Sequence, residues 1–219
     1  GFPVTLSSHV LPEFREYERT LTACMNSYVR PKVQHYVDHL SSELKALGAQ
    51  CEVNILRSDA GLMTAREAGR NPIYGVLSGP SGGVAGALFV STRAGFPNIL
   101  TFDMGGTSTD VALCQDGAPS IGRETSISHF RLRVPAVDVH TVGAGGGSIA
   151  WVDRSGLLQV GPESAGSNPG PVCYGLGNSR PTLTDANVVL GRINAERPIG
   201  GKLARLDVAA ARAAILRDV

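Results

Sequence analysis

The stretch Leu100-Thr101-Phe102-Asp103-Met104-Gly105-Gly106-Thr107-Ser108-Thr109-Asp110-Val111-Ala112-Leu113 constrains this chain more than any other. Apolar residues flank a small polar centre, so Ile99 to Phe102 and Val111 to Leu113 each read as a short buried strand. Met104 to Asp110 is too tight a connection for a helix. Two adjacent glycines let the backbone turn sharply and come close to a ligand, because no Cβ stands in the way. Consecutive backbone N–H groups in such a turn form a concave nest for phosphate, and the hydroxyls of Thr107, Ser108 and Thr109 add donors. Asp103 and Asp110 stand at its edges, where a carboxylate repels a bare phosphate but holds a hydrated magnesium ion that bridges to one. An ordinary β-hairpin closed by glycines fits the same spacing. The density of hydroxyls and acids favours phosphate.

A chain of 219 residues can bury a real core in one or two domains. Its 20 basic and 19 acidic side chains leave a net charge of +1, which argues against a general electrostatic hold on nucleic acid or an anionic membrane. No apolar run is long enough to cross a bilayer, and no signal peptide opens the sequence. The four cysteines, Cys24, Cys51, Cys114 and Cys173, lie far apart with no CxxC pair. Reduced thiols in a cytoplasmic protein, a piece of something longer, are the expectation. Glycine is the outlier at 27 residues.

Val4 to Ser7 reads as a short strand. From Glu13 the apolar spacing turns helical and runs to a stop at Gly48, with Pro31 expected to kink or divide the helix. His35 and His39 stand at i and i+4, a chelating spacing, but no acidic residue completes a metal motif, and a partner or surface face is the better reading. Cys51 to Arg57 alternates as a strand, with Ser58-Asp59-Ala60-Gly61 at its end, where open α/β sheets place ligands. Met63 to Gly69 reads as a short helix capped by Thr64. After Ser78-Gly79-Pro80-Ser81-Gly82-Gly83, Val84 to Ala94 reads as a helix of small residues that lets another helix approach closely. The alternative is a glycine-rich phosphate loop at a helix N-terminus, which would lack the P-loop lysine.

Beyond the central hairpin, Gln115-Asp116-Gly117 signals a turn, and Ala118 to Ser126 returns as a strand. Ala136 to His140 reads as extended, which puts Asp138 and His140 on one face, at a spacing that suits half of a divalent metal site. A hydrogen-bonded Asp–His pair that orders the next loop is the other reading. Gly143 to Ser148, a substrate or nucleotide contact or else a turn of awkward geometry, precedes a hairpin of Ile149 to Val152 and Leu157 to Val160. Gly161 to Gly175 reads as loop, long enough to suspect function. Thr184 is expected to cap a helix whose Asp185 faces the same cavity, and a final amphipathic helix starts at Asp207.

Three motifs, Leu77-Ser78-Gly79-Pro80-Ser81-Gly82-Gly83-Val84-Ala85-Gly86, Phe102 to Asp110, and His140-Thr141-Val142-Gly143-Ala144-Gly145-Gly146-Gly147-Ser148-Ile149-Ala150, occur in an order that resembles the hydantoinase/5-oxoprolinase family. More narrowly, they resemble its ATP-binding, hydantoinase A-type subunit, which is related to acetone carboxylase-type subunits. The similarity runs from about Val53 to about Arg192. It implies an α/β fold, an actin-like ATPase (ribonuclease-H-like) half-domain with a mixed sheet and flanking helices. Residues 1–72 would be a helical segment and strand leading in, and residues 73–219 the second half of the nucleotide clamp. In such ATPases a helix like Val84 to Ala94 crosses its counterpart at the hinge. The family usually shows two glycines at Ala60-Gly61, where Ala60 replaces one.

By the same resemblance the parent protein phosphorylates the carbonyl of a cyclic amide with ATP before ring opening. Related alternatives are an ATP-dependent ketone carboxylase subunit and a non-catalytic actin-like nucleotide module. The site implied has Asp103 and Asp110 as catalytic acids. Gly105, Gly106, Thr107, Ser108, Thr109, Gly145 and Gly146 would hold ATP and Mg2+, and Asp138 and His140 a second divalent ion, Mn2+ or Zn2+. Expected partners are a cyclic-amide substrate and a subunit or domain of the hydantoinase B type, with neither nucleic acid nor membrane. The fragment alone, carrying one of two phosphate hairpins, is expected to be inactive.

Overall fold

A computed structural model describes residues 4–127, 129–198, 200 and 203–219. Its helices are α1 (Ser7–Val10), α2 (Glu16–Ala46), α3 (Ala65–Arg70), α4 (Ser78–Arg93), α5 (Leu183–Val189) and α6 (Val208–Asp218). The strands are β1 (Asn54–Leu56), β2 (Leu62–Thr64), β3 (Ile99–Met104), β4 (Thr109–Gln115), β5 (Ala118–Pro119), β6 (Ile121–Gly122), β7 (Thr125–Ile127), β8 (Phe130–Leu132), β9 (Ala136–Val137), β10 (His140–Val142), β11 (Ser148–Val152) and β12 (Leu158–Ser164). Two compact units result, one from residues 1–101 and 112–139, the other from Phe102–Val111 and His140–Val219. The sequence suggested a division near residue 72; these units divide instead along the β3–β4 hairpin, which runs through both.

In the first unit the strand expected at Val4 to Ser7 is replaced by the single turn α1, because Val10 is drawn into a cluster with Ile73, Leu132 and Val134. α2 runs unbroken through Pro31. Pro31 removes one backbone donor, but Ser27, four residues earlier, is exposed and its carbonyl can turn to water. Buried Thr22, Asn26 and Val37 hold the helix on both sides of the proline. Asn26 fixes it by donating to Arg70 O at 3.1 Å and accepting from Ile73 N at 3.2 Å. Gly48, at φ +92°, ends the helix as expected. β1 pairs antiparallel with β2, so Met63 lies in a strand rather than in the following helix. Thr64 caps α3, accepting from Glu67 N at 3.2 Å.

The turn after β1 is tied to three other segments through Ser58. Ser58 is 1% exposed. Its N–H donates to Tyr74 O, its carbonyl accepts from Val137 N at 2.7 Å, and its hydroxyl accepts from Leu77 N at 3.0 Å. Buried Ser81 reaches the same carbonyl at 2.6 Å, which locks the first turns of α4 to the strand end. α4 therefore starts at Ser78, six residues before Val84, and the glycines read as a loop lie inside a helix. Val84 and Leu88 pack with Ala112, Cys114 and Val137. Asp116 (φ +52°) and Gly117 (φ +75°) form the expected turn. The strand expected from Ala118 to Ser126 breaks into β5, β6 and β7, because each finds a different partner: β4, β9 and β8.

In the second unit the tip of β4 pairs antiparallel with β10, and β11 with β12. Part of Gly161 to Gly175, expected as loop, belongs to β12 and to a 3-10 turn at Val172–Tyr174. Cys173, Val188, Leu206 and Ala211 form the core beneath α5 and α6. The helix expected to start at Asp207 does so, with Asp207 as its cap, accepting from Ala210 N at 2.9 Å. The pairs β1–β2, β4–β5, β4–β10, β6–β9, β7–β8 and β11–β12 are all antiparallel. The parallel part of the mixed sheet expected from the sequence is not among them.

Candidate functional site

Met104 ends β3 and Thr109 begins β4, so four residues make the turn, closed by Gly105 N donating to Ser108 O at 2.9 Å. So short a connection forces the two strands antiparallel. Gly105, Gly106 and Thr107 are exposed. A Cβ placed on Gly106 would meet nothing within 4 Å, so the main chain at the tip is open to close approach. Asp103 is exposed on β3, and Asp110 is half-buried on β4. The three hydroxyls expected to face an anion divide. Thr109 is 2% exposed and donates to Ala144 O at 2.6 Å. Its position on β4 turns it under the tip, which leaves Thr107 and Ser108.

The loop at Gly143 to Ser148 is the bed on which this turn rests. Gly146 N donates to Gly105 O at 2.9 Å and Gly147 N to Gly106 O at 2.7 Å. A Cβ on Gly145 would stand 2.7 Å from the backbone of Thr107 and Ser108, and one on Gly147 2.9 Å from Gly106 O. Main chain packs on main chain with no room for a methyl group. The glycines expected to touch nucleotide, Gly145 and Gly146, are thus brought against the Gly105–Ser108 turn itself. Ser148 supports them, its hydroxyl accepting from Gly145 N at 2.9 Å. Thr141, which the sequence did not single out, faces Asp110 across β4 and β10 and donates to its Oδ1 at 2.6 Å. Only the strand register reveals that pair.

Below the loop, Thr184 N donates to Gly146 O at 2.8 Å. The cap of α5 is Thr182 rather than Thr184, in a capping box with Asp185. Asp185 is fully buried and does not line an open cavity. Its carboxylate accepts from Val172 N, Cys173 N, Thr182 N and the Thr182 hydroxyl at 2.7–3.1 Å. Four donors account for a charge that burial alone would forbid. Burial, with the carboxylate of Asp185 beside it, pushes the Cys173 thiol up to about 12.

Asp138 and His140 do not share a strand. β9 ends at Val137 and β10 begins at His140; Asp138 N still continues the β6–β9 pairing by donating to Ser120 O at 2.8 Å, whereas His140 pairs with Val111 of β4. Alternation along one strand therefore does not place their side chains together. Both are exposed, and they fall in different units. His35 and His39, likewise exposed, have ring centroids 6.5 Å apart. Among the described residues no cluster of three or more His, Cys, Asp or Glu side chains could hold a metal ion, and no helix is long and apolar enough to cross a membrane. A cleft of about 780 Å³ lies in the first unit, between the end of α2 and residues 49–53.

The chain is 41% identical over 194 residues to the caprolactamase alpha subunit of Pseudomonas jessenii, which covers 89% of this chain and 28% of that protein. The crystal structure of the ATP-dependent caprolactamase from that organism superposes with a TM-score of 0.77 at 40% identity, over 97% of this chain and 30% of the other. The chain is also 36% identical to a 5-oxoprolinase of Dictyostelium discoideum over 87% of its own length and 16% of that protein. A nucleotide-free acetone carboxylase matches with a TM-score of 0.73 at 29% identity, over 97% of this chain and 30% of that one. The chain thus spans less than a third of each of these relatives. The hydantoinase/oxoprolinase family model matches residues 19–218, and with a glycine-bedded hairpin tip at its centre the chain belongs to the hydantoinase/oxoprolinase family.

Proposed function

We propose that this chain is the phosphate-holding part of an ATP-dependent cyclic-amide hydrolase, with the fold of one half of an actin-like ATPase. The observation that carries the reading is the hairpin tip, exposed at Gly105 to Thr107 and clamped from below by Gly145 to Gly147. Phosphoryl transfer needs positioning and charge neutralisation more than a protein nucleophile. The site has glycines, hydroxyls and acids, and suits that need. Transfer of the γ-phosphoryl group to the amide carbonyl oxygen gives ADP and an electrophilic carbon. Water adds there, the ring C–N bond breaks as the nitrogen takes a proton and leaves, and a second water hydrolyses the resulting acyl phosphate to carboxylate and inorganic phosphate. Thr107, Ser108 and the tip N–H groups would bind the phosphates.

Magnesium keeps most of its water and takes one or two carboxylates besides phosphate oxygens. An exposed Asp103 and a half-buried Asp110 beside the tip fit that donor set, and the ion would neutralise phosphate charge. A second ion at Asp138 and His140 lacks the strand geometry that suggested it, and no step is assigned to it. α4, rich in small residues, would serve as the hinge helix. A hydantoinase B-type partner subunit is in keeping with the subunit named in the caprolactamase relative. Four free thiols suit the cytoplasm. A ketone carboxylase is the second reading, favoured by the acetone carboxylase match.

The test is turnover of the full-length protein. Asp103→Asn should lower ATP-dependent cyclic-amide hydrolysis about 100-fold and leave the melting temperature unchanged. Survival of turnover would remove Asp103 from the site. ATP consumption that depends on ketone and bicarbonate, with none on cyclic amides, would select the carboxylase.

A further inference from the structure

We infer that Thr141 is a positioning residue that fixes the rotamer of Asp110 at the phosphate turn; this rests on the function proposed above. Thr141 and Asp110 are direct cross-strand partners on β10 and β4. The threonine hydroxyl donates to Asp110 Oδ1 at 2.6 Å, a short, charge-assisted bond. Among the described residues the other carboxylate oxygen takes no protein hydrogen bond. One oxygen is therefore anchored and the other is left to meet a ligand.

The anchor is itself rigid. Thr141 stands one residue from Val142, which pairs with Thr109, and Thr109 is bonded to Ala144 at the start of the glycine bed. A β-branched side chain on a strand has few rotamers, so its hydroxyl is directed at the carboxylate with little entropy to lose. Without it, Asp110 is half-exposed and free to rotate about two bonds. Because Thr141 is exposed, the bond contributes little to folding. Its loss should be read in activity rather than in stability.

The experiment uses the full-length protein with Thr141→Val, Thr141→Ser, Asp110→Asn and the Thr141→Val/Asp110→Asn pair. Turnover, affinity for magnesium-ATP by calorimetry and melting temperature are measured for each. Thr141→Val should lower turnover about 10-fold or more, as loss of a supporting hydrogen bond does, and weaken magnesium-ATP binding, with melting unchanged. Thr141→Ser keeps the hydroxyl and should recover most of both. In the Asp110→Asn background the valine should add nothing, since it acts through that carboxylate. Wild-type turnover in Thr141→Val beside an inactive Asp110→Asn would overturn the inference and leave the site reading standing. Equal losses for valine and serine, or a further loss in the pair, would also overturn it. Full turnover in Asp110→Asn would overturn the site reading and the inference with it.

Discussion

Two glycine-rich stretches look alike in sequence and do opposite things in the fold. Ser78 to Gly83, which leads into a small-residue helix, has a phosphate loop as its alternative reading, and Gly143 to Ser148 reads as a loop where a ligand touches main chain. The first is the front half of α4, where a Cβ on Gly79 or Gly86 would meet nothing within 4 Å. The second lies flat against a β-turn, where a Cβ on Gly145 would strike backbone at 2.7 Å. Inside this chain packing does not require glycine at Gly79 or Gly86, and a Cβ on Gly82 would meet only a side-chain methyl, Leu56 Cδ2, at 3.2 Å, whereas the second set lies against backbone at the hairpin tip. Glycine content thus marks close approach only where the partner is already present.

The largest effect that would break this contrast is at Gly145. Gly145→Ala has no flexible side chain to displace, only the backbone of Thr107 and Ser108, and should cost about 3 kcal/mol with weakened nucleotide binding. Urea unfolding that is unchanged would show that the loop is not packed as described. Gly146 sharpens the comparison, because its obstruction is a side-chain atom, Thr184 Oγ1, at 2.7 Å. Gly146→Ala should cost roughly 1–2 kcal/mol, and Thr184→Ala in the same chain should relieve most of that, a non-additivity that a double-mutant cycle reads directly.

Gly86→Ala should have the opposite sign, raising the stability of this chain by about 1 kcal/mol through helix propensity. If α4 is a hinge helix packed closely by the rest of the parent protein, the same change in the full-length enzyme should lower turnover instead; a gain in both would end the hinge reading. The smallest effect is expected at Ala60, where an alanine sits at φ +64° in the left-handed region. Ala60→Gly should relieve that strain and raise stability by about 0.5 kcal/mol, the glycine's extra freedom in the unfolded chain offsetting part of the gain. A loss there, measured by thermal unfolding, would mean that the Ala60 methyl packing beside Val84 and Leu88 outweighs the strain.

Local signals carried the reading where the chain acts on its near neighbours. The β3–β4 hairpin, the long helix to Gly48, the caps at Thr64 and Asp207, the Asp116-Gly117 turn and the β11–β12 hairpin are all set by residues within a few positions of one another. Such patterns survive because a turn or cap closes its hydrogen bonds locally. The misplaced cap at Thr184 shows the limit: two threonines lay in reach, and a carboxylate needed by Val172 and Cys173, a dozen residues earlier, settled on Thr182.

By itself the sequence determined the family, through three motifs in order, and the tight glycine turn between Asp103 and Asp110. The tertiary structure decided what each site residue does there. It turned Thr109 inward, set Gly145 and Gly146 against the turn, buried Asp185 among backbone donors, separated Asp138 from His140 by a break in the strand, and paired Thr141 with Asp110. The physical reason is that most of these outcomes depend on strand register and on hydrogen bonds across 30 or more residues, such as Thr109 to Ala144 and Gly105 to Gly146, and that of Asp185 on donors up to 13 residues away. A register shift of one residue reverses every side chain on a strand, and no local pattern in β4 or β10 records which register the folded chain adopts.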